Sequence, residues 1–396
     1  MLLAAVNAAW AQSFYLFVGT YTNTGTLPGA PPLDSTGSKG IYVYRFDAAT
    51  GKTTLLSHTT DVCNPSFLTI APDRHHVYAV TDSRMVHAGT VSAFDFDPAS
   101  GKLKFINKVY SGGDNPAYVS VDATGRYAAV ANYTGGSYSL FPIAANGSIG
   151  KGAVTIYNGH GVNHDRQEKP HTHSAVFSPD NKYLYIQDLG LDRIAVEPFD
   201  AAAPPGDPAT NAILFDNPWV PPAENPAELE DIAKLPTVPG SGPRHLTFHP
   251  NGKFAYLIEE MGGCVDVYRY NSATGLLDSL QRIAAHPDTA KGPFRSSDIH
   301  VSPDGKFLYA SNRAENTIAI FSLDSYSGLL TPVGYQSVLG KEPRNFTLDP
   351  GGNWLLVANQ ESKEIVLFKI DRHTGLLQPL DRHIQVPTPS CLQFIR

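Results

Sequence analysis

Arginine, histidine and carboxylate side chains recur together at a few short points of this chain. They are Pro170-His171-Thr172-His173, Pro243-Arg244-His245, Glu259-Glu260, Asp298-Ile299-His300 and Glu342-Pro343-Arg344. An arginine offers a planar fork of donors that fits a carboxylate, a phosphate or a developing oxyanion. A carboxylate or an imidazole takes up and returns a proton. Held together, such groups suit addition to or elimination from an anionic or carbonyl substrate. A ring of ion pairs that only tidies the end of a channel is the competing reading. His171 and His173 alternate as two imidazoles on one strand face would, a spacing open to metal binding. No second cluster of carboxylates or cysteines has ligand spacing, so no metal and no cofactor are expected. Cys63, Cys264 and Cys391 lie far apart with no CxxC, which indicates neither a zinc site nor a disulfide framework. The chain also lacks a Gly-x-Ser-x-Gly elbow and a phosphate-binding loop lysine.

What must position these residues is a repeat. A strand, a Pro-Asp-Gly-like turn and an aromatic-rich strand recur from Ser66, Ala117, His173, Arg244, Ser297 and Arg344. A second signature, an alternating strand ending in a turn such as Thr-Gly, recurs seven times, clearest from Ile41, Val91, Cys264, Thr317 and Glu364. Alternation with period two excludes helices. The missing seventh copy of the first signature is split between the ends. Pro389–Arg396 supplies its opening strand and Ser13–Thr22 the strand after the turn. The spacing predicts an all-β, seven-bladed propeller of four-stranded blades, closed by pairing of the N- and C-terminal strands, which leaves only short protected edges. Residues 13–396 form one domain, with a Pro-rich, acidic loop at about 198–242 inserted in the fourth blade. Residues 158–169 form a second polar loop, and both loops are placed to overhang the channel mouth.

The repeat also supplies a register. Six residues before the turn stand Ser66, Ala117, His173, Arg244, Ser297 and Arg344, joined by Ser390 from the last strand. Ten residues after the turn's Pro or Ala stand Asp82, Tyr133, Leu189, Glu260, Arg313 and Gln360, joined by Thr20. Antiparallel pairing puts both layers at one mouth. His173, Arg244, Glu260 and Arg344 are therefore the candidate catalytic set. His171, His245, Asp298, His300, Arg313, Gln360 and Tyr133 are candidate substrate contacts, although turn or blade-packing roles compete for His245 and His300. Glu260, in the strand next to Arg244, or His173 is expected to act as the base.

Composition limits the partners. The net charge is −7 with no long basic run, so a nucleic-acid partner is not expected. No apolar run approaches the roughly 20 residues of a membrane span. Met1–Gln12 carries Ala9-Trp10-Ala11, the small-x-small form of a signal cleavage site, without a basic start. It reads as a signal-peptide remnant, implying a periplasmic or secreted protein, or as a frayed start, implying a cytoplasmic one. A monomer or weak homo-oligomer is expected. Asn132-Tyr133-Thr134 and Asn345-Phe346-Thr347 match the glycosylation tripeptide, but they fall in presumed inner strands, so chance accounts for them.

At these residues the chain resembles the seven-bladed propeller lactonase family, which includes bacterial propeller-type 6-phosphogluconolactonases and fungal carboxy-cis,cis-muconate lactonizing enzymes. The motifs are FVGTYT at Phe17, PHTHS at Pro170, GPRHLTFHPNGKFAYLIEE at Gly242, DIHVSPDGKFLYASNR at Asp298 and EPRNFTLDPGGNWLLVANQ at Glu342. The likeness spans nearly all of the chain beyond Ser13. It implies a lactone as small-molecule substrate and an active site of His173 or His171, Arg244, Arg344 and Glu260. Hydrolysis of a sugar-acid lactone, 6-phosphogluconolactone first, is the favoured activity. A carboxymuconate-type cycloisomerase and a non-catalytic binding platform are the alternatives. The family usually reads Asn-Glu where this chain has Glu259-Glu260, which leaves open which carboxylate faces the channel.

Overall fold

The computed structural model describes residues 13–23, 36–81, 89–202, 213–214 and 233–395. Residues 1–12, Asp82 and most of the 198–242 insertion lie outside them. The described strands form seven antiparallel sheets. Their innermost strands follow one another around a ring: Pro389–Ile395, Leu68–Ile70, Pro116–Val121, Thr172–Phe177, Pro243–Phe248, Ser296–Val301 and Pro343–Leu348. Blades one to seven are numbered in that order. Blade one is built from both ends of the chain. Pro389–Ile395 pairs antiparallel with Ser13–Thr20, with Val18 opposite Leu392 and Leu16 opposite Phe394. Six blades have four strands. Blade three has a fifth, because Ile213–Leu214 from the blade-four insertion pairs with Ala153–Ile156.

Local chemistry explains the repeat. The turn after each inner strand needs one residue with positive φ, and six blades supply Arg74, Gly125, Asn181, Gly252, Gly305 and Gly352 there (φ 60–73°). Glycine and asparagine tolerate that conformation best. Apolar residues on both faces of the central strands pack between neighbouring blades. At the closing seam Phe14, Leu16, Trp354, Leu356 and Leu392 share one cluster, and the Trp354 indole donates to the Ala48 carbonyl at 2.8 Å. Burying each such side chain contributes about 1.5–3 kcal/mol. Tyrosine hydroxyls add polar ties between blades: Tyr185, Tyr256 and Tyr309 donate to the carbonyls of Gly275, Gly328 and Gly375 in the next blade.

Candidate active site

Six of the seven inner strands enter the sheet with a register break at the same point; Leu68–Ile70 of blade two pairs without one. The register skips one residue between Pro116 and Tyr118, Thr172 and Ser174, Pro243 and His245, and Pro343 and Asn345. The skipped residues are Ala117, His173, Arg244 and Arg344. In blade six the break spans Ser297 and Asp298, and in blade one it skips Ser390. Apart from Ser66, the layer read from the repeat thus falls at these register breaks. A bulge bends the strand and re-aims a side chain; of this layer Ala117, His173 and Arg344 line the channel mouth. The bulge also breaks the alternation on which the His171/His173 pair was read: the strand starts at Thr172, and His173 is itself the bulged residue.

A cavity of about 520 Å³ opens at this mouth. Its wall includes Tyr133, His173, Glu260, Arg313, Arg344 and Gln360, all expected from the register. Arg166 and Arg295 line it too. On the side of blades one to three the wall is neutral and polar, with Asn23, Thr36, Asn64 and Asn115. Arg244 is not among the lining residues. It lies wholly buried behind Glu260 and His173, contrary to the expectation that it touches substrate.

Glu260 is the electrostatic centre. Its Oε2 accepts Arg244 Nε at 3.0 Å and pairs with Arg313 at 2.9 Å. Its Oε1 accepts Arg166 Nη2 at 2.7 Å. Burial alone would raise its pKa, but the charges of Arg313 and Arg244, with Arg166 beyond them, outweigh burial and hold it well below the carboxylate range. Arg244 responds in the opposite sense. Burial and the neighbouring Arg313 bring its guanidinium down to about 9.

His173 faces this cluster as a neutral base. Burial, and then the charges of Arg244 and His245, push its pKa well below the ordinary imidazole value. The arginines therefore act on both candidate bases, because Arg244 adjoins Glu260 and His173 alike. Its Nδ1 is buried with no hydrogen-bond partner among the described residues. The Tyr133 ring stands edge-on to it at 5.4 Å. His171 lies on the other side of that tyrosine, stacked on it at 4.6 Å and bonded to the Tyr133 carbonyl and to Glu168. It supports the wall and does not form it.

Three further expected substrate contacts also lie off the cavity, in a layer deeper in the channel. Asp298 accepts from His245 Nδ1 at 2.8 Å, His300 Nε2 at 3.0 Å and Asn345 Nδ2 at 2.5 Å. Asn345 in turn accepts the Leu392 N–H at 2.7 Å. The layer therefore joins blades five, six, seven and one. With Nδ1 protonated toward Asp298, His245 offers its Nε2 lone pair to Arg244 Nη1 at 3.2 Å. The packing role weighed for His245 and His300 is the one the geometry gives them. Among the described residues, no group of three or more His, Cys, Asp or Glu side chains is arranged to hold a metal ion.

The family model for lactonases of the seven-bladed β-propeller type matches residues 15–210 and 222–394. The chain belongs to this lactonase family. A 6-phosphogluconolactonase of Bacillus subtilis is 31% identical over 380 residues, 96% of this chain and 97% of that protein. One of Formosa agariphila is 37% identical over 84% of this chain and 86% of its own length. Among solved structures, the periplasmic gluconolactonase PpgL of Pseudomonas aeruginosa superposes with a TM-score of 0.80 at 35% identity, covering 97% of this chain and 99% of that one. Within this family frame, the residues that register reasoning missed are Arg166 and Arg295. Arg166 comes from the 158–169 loop, which the sequence marks as overhanging the mouth but which has no counterpart in the other blades. Arg295 precedes its strand and is clamped by Glu342 at 2.6 and 3.1 Å.

Proposed function

We propose that this protein hydrolyses a sugar-acid lactone, with 6-phosphogluconolactone the favoured substrate and unphosphorylated gluconolactone the next. The observation that carries the reading is a neutral, buried imidazole, His173, in the same cavity wall as Arg313, Arg344 and Arg166. The named activities of the relatives agree with it. Water adds to the lactone carbonyl carbon while its proton passes to His173. The carbonyl oxygen becomes an oxyanion facing the lining arginines, where a fixed donor costs no reorganisation. The ring C–O bond then breaks, the leaving oxygen takes the proton back from the imidazolium, and the acid releases its own proton to solvent. The resting site disfavours imidazolium, because His173 is buried and Arg244 lies beside it. The new oxyanion supplies the missing counter-charge, so His173 gains basicity as the transition state forms. Glu260, held ionised by three arginines, is a poor base, and its role here is to balance their charge. Arg244 acts through Glu260 and His173 from behind the wall.

The test is turnover of 6-phosphogluconolactone, gluconolactone and muconolactone by the purified protein, with and without a chelator. His173→Ala is expected to lower kcat by roughly 10²–10⁴-fold with binding largely kept. Arg344→Ala is expected to raise KM more than it lowers kcat. Near-wild-type turnover in His173→Ala removes His173 as the base, and a wild type inactive on every lactone removes the reading altogether.

A further inference from the structure

Three arginines meet on Glu260, and they are not equivalent. Arg244 and Arg313 share Oε2 and have side chains only 2% and 5% exposed; Arg166 alone holds Oε1, and its side chain is 41% exposed. Withdrawing either buried arginine would leave a desolvated charge without its partner, a costly change. Withdrawing Arg166 leaves Glu260 with two cations and returns a guanidinium that is already half in water. Of the three, Arg166 is the one able to move.

Its backbone is held still while it does so. Gln167, fully buried, donates Nε2 to the Leu189 carbonyl at 2.8 Å and accepts the Asn163 N–H at 2.9 Å. Its own carbonyl accepts Gly161 N–H at 2.9 Å. Two residues on, Lys169 Nζ donates to the Thr134 carbonyl at 2.7 Å. The guanidinium is also next to the reacting end of the cavity. Arg166 Nη2 lies 3.3 Å from the Tyr133 hydroxyl, and the Tyr133 ring touches His173.

We propose that Arg166 is a substrate-contacting residue whose guanidinium turns from Glu260 to the lactone carbonyl oxygen as that oxygen gains charge, and then holds the carboxylate of the opened acid. This rests on the lactonase reading. Hydrolysis turns a neutral ester into a carboxylate and a proton, which creates one new negative charge inside the cavity. A cation that can leave an over-supplied glutamate is the partner matching that charge. An anion at the mouth is met by a planar fork able to bind both carboxylate oxygens.

The experiment compares wild type, Arg166→Gln and Arg166→Lys in lactone turnover and in calorimetric binding of the open acids, gluconate and 6-phosphogluconate. Arg166→Gln is expected to lower kcat by about 10²-fold, as loss of one oxyanion donor does. It should weaken binding of both acids by at least about tenfold, an effect on the scale of a charge-assisted hydrogen bond. The lysine variant should restore part of each, and the melting temperature should stay within a few degrees. An Arg166 that only screens Glu260 would change kcat and leave acid affinity untouched, which overturns the proposal, as does a glutamine variant equal to wild type in both. A wild type that turns over no lactone yet binds the acids through Arg166 sinks the lactonase reading and keeps the carboxylate contact. Binding of neither acid by an inactive wild type sinks both.

Discussion

At the end of the strand Phe254–Glu259 the chain carries two glutamates that face opposite ways. Glu260 turns to the channel mouth and meets Arg166, Arg244 and Arg313. Glu259 turns into the blade and meets one cation, Arg282, which it shares with Asp266. Both are buried, so desolvation raises both. Three arginines reverse that effect at Glu260 and hold it ionised. At Glu259 burial wins, even against the bond to Arg282, and pushes the carboxyl up to about 8. Burial raises both, and the difference lies in the partners: three arginines overcome it at Glu260, whereas Arg282, shared with the like-charged Asp266, does not at Glu259. The sister blades show why the inner slot accepts a neutral group. In register with Glu259 stand Asn132, Asn312 and Asn359, whose amides donate to Ser111, Ala285 and Val338 carbonyls of the preceding blade. A protonated glutamate resembles an amide in this respect, and an ionised one does not.

The sharpest way to break this comparison is to neutralise the channel-side member. Glu260→Gln leaves Arg244 and Arg313 buried side by side without their common counter-charge. Removing one partner of such a buried set costs about 3–5 kcal/mol, and His173 loses the nearby anion that favours its protonation. We expect kcat to fall by roughly 10²-fold or more and the denaturant midpoint to drop clearly. A variant as stable as wild type would mean that the arginines do not depend on Glu260.

A smaller effect is expected one layer down. Asp298→Asn puts an amide N–H against the donors of either His245 or His300 and Asn345. His245 then loses the partner that fixes its tautomer, and Arg244 loses a defined acceptor. The expected outcome is a kcat roughly tenfold lower at nearly unchanged KM, with about 1–3 kcal/mol of stability lost. Lower stability with unchanged kcat in the folded protein would restrict Asp298 to a structural part, and the channel side of the comparison would then end at Glu260.

The sequence carries much of this because the fold is repetitive. Ring closure by Pro389–Ile395 beside Ser13–Thr20 is legible from a split repeat, and the channel-facing layer from a count along each turn. The bulges are not legible, since an extra residue per strand leaves no mark in a pattern of alternating apolar residues. They are why the HxH pair at His171 and His173 was read as one face. Depth was equally hidden. Register places Arg244, His245 and Asp298 at the right end of the channel but says nothing about which lie at its surface. Arg166 escaped because its loop belongs to one blade only, so no other repeat points to it.

The mildest test addresses Glu259, and its sign follows from linkage. A carboxyl pushed up to about 8 in the folded state, against about 4.3 in the unfolded chain, holds its proton more tightly when folded. Its contribution to stability is complete below about 4.3 and is lost as pH rises through about 8, by about 1.4 kcal/mol per pH unit in between. Glu259→Gln fixes the neutral form. Its Nε2 would take the place of Oε2, which has no partner among the described residues, while Oε1 keeps the acceptor role toward Arg282 and Arg282 keeps Asp266. The variant should therefore match wild type near pH 5 and exceed it near pH 8 by up to about 4 kcal/mol, read as a flatter curve of unfolding free energy against pH. Turnover should stay within about twofold, because Glu259 faces away from the cavity. A variant less stable than wild type at pH 8 would show that Arg282 keeps Glu259 ionised after all. One arginine shared between two carboxylates would then suffice to hold a buried glutamate ionised, and the contrast with Glu260 would reduce to which face each side chain takes.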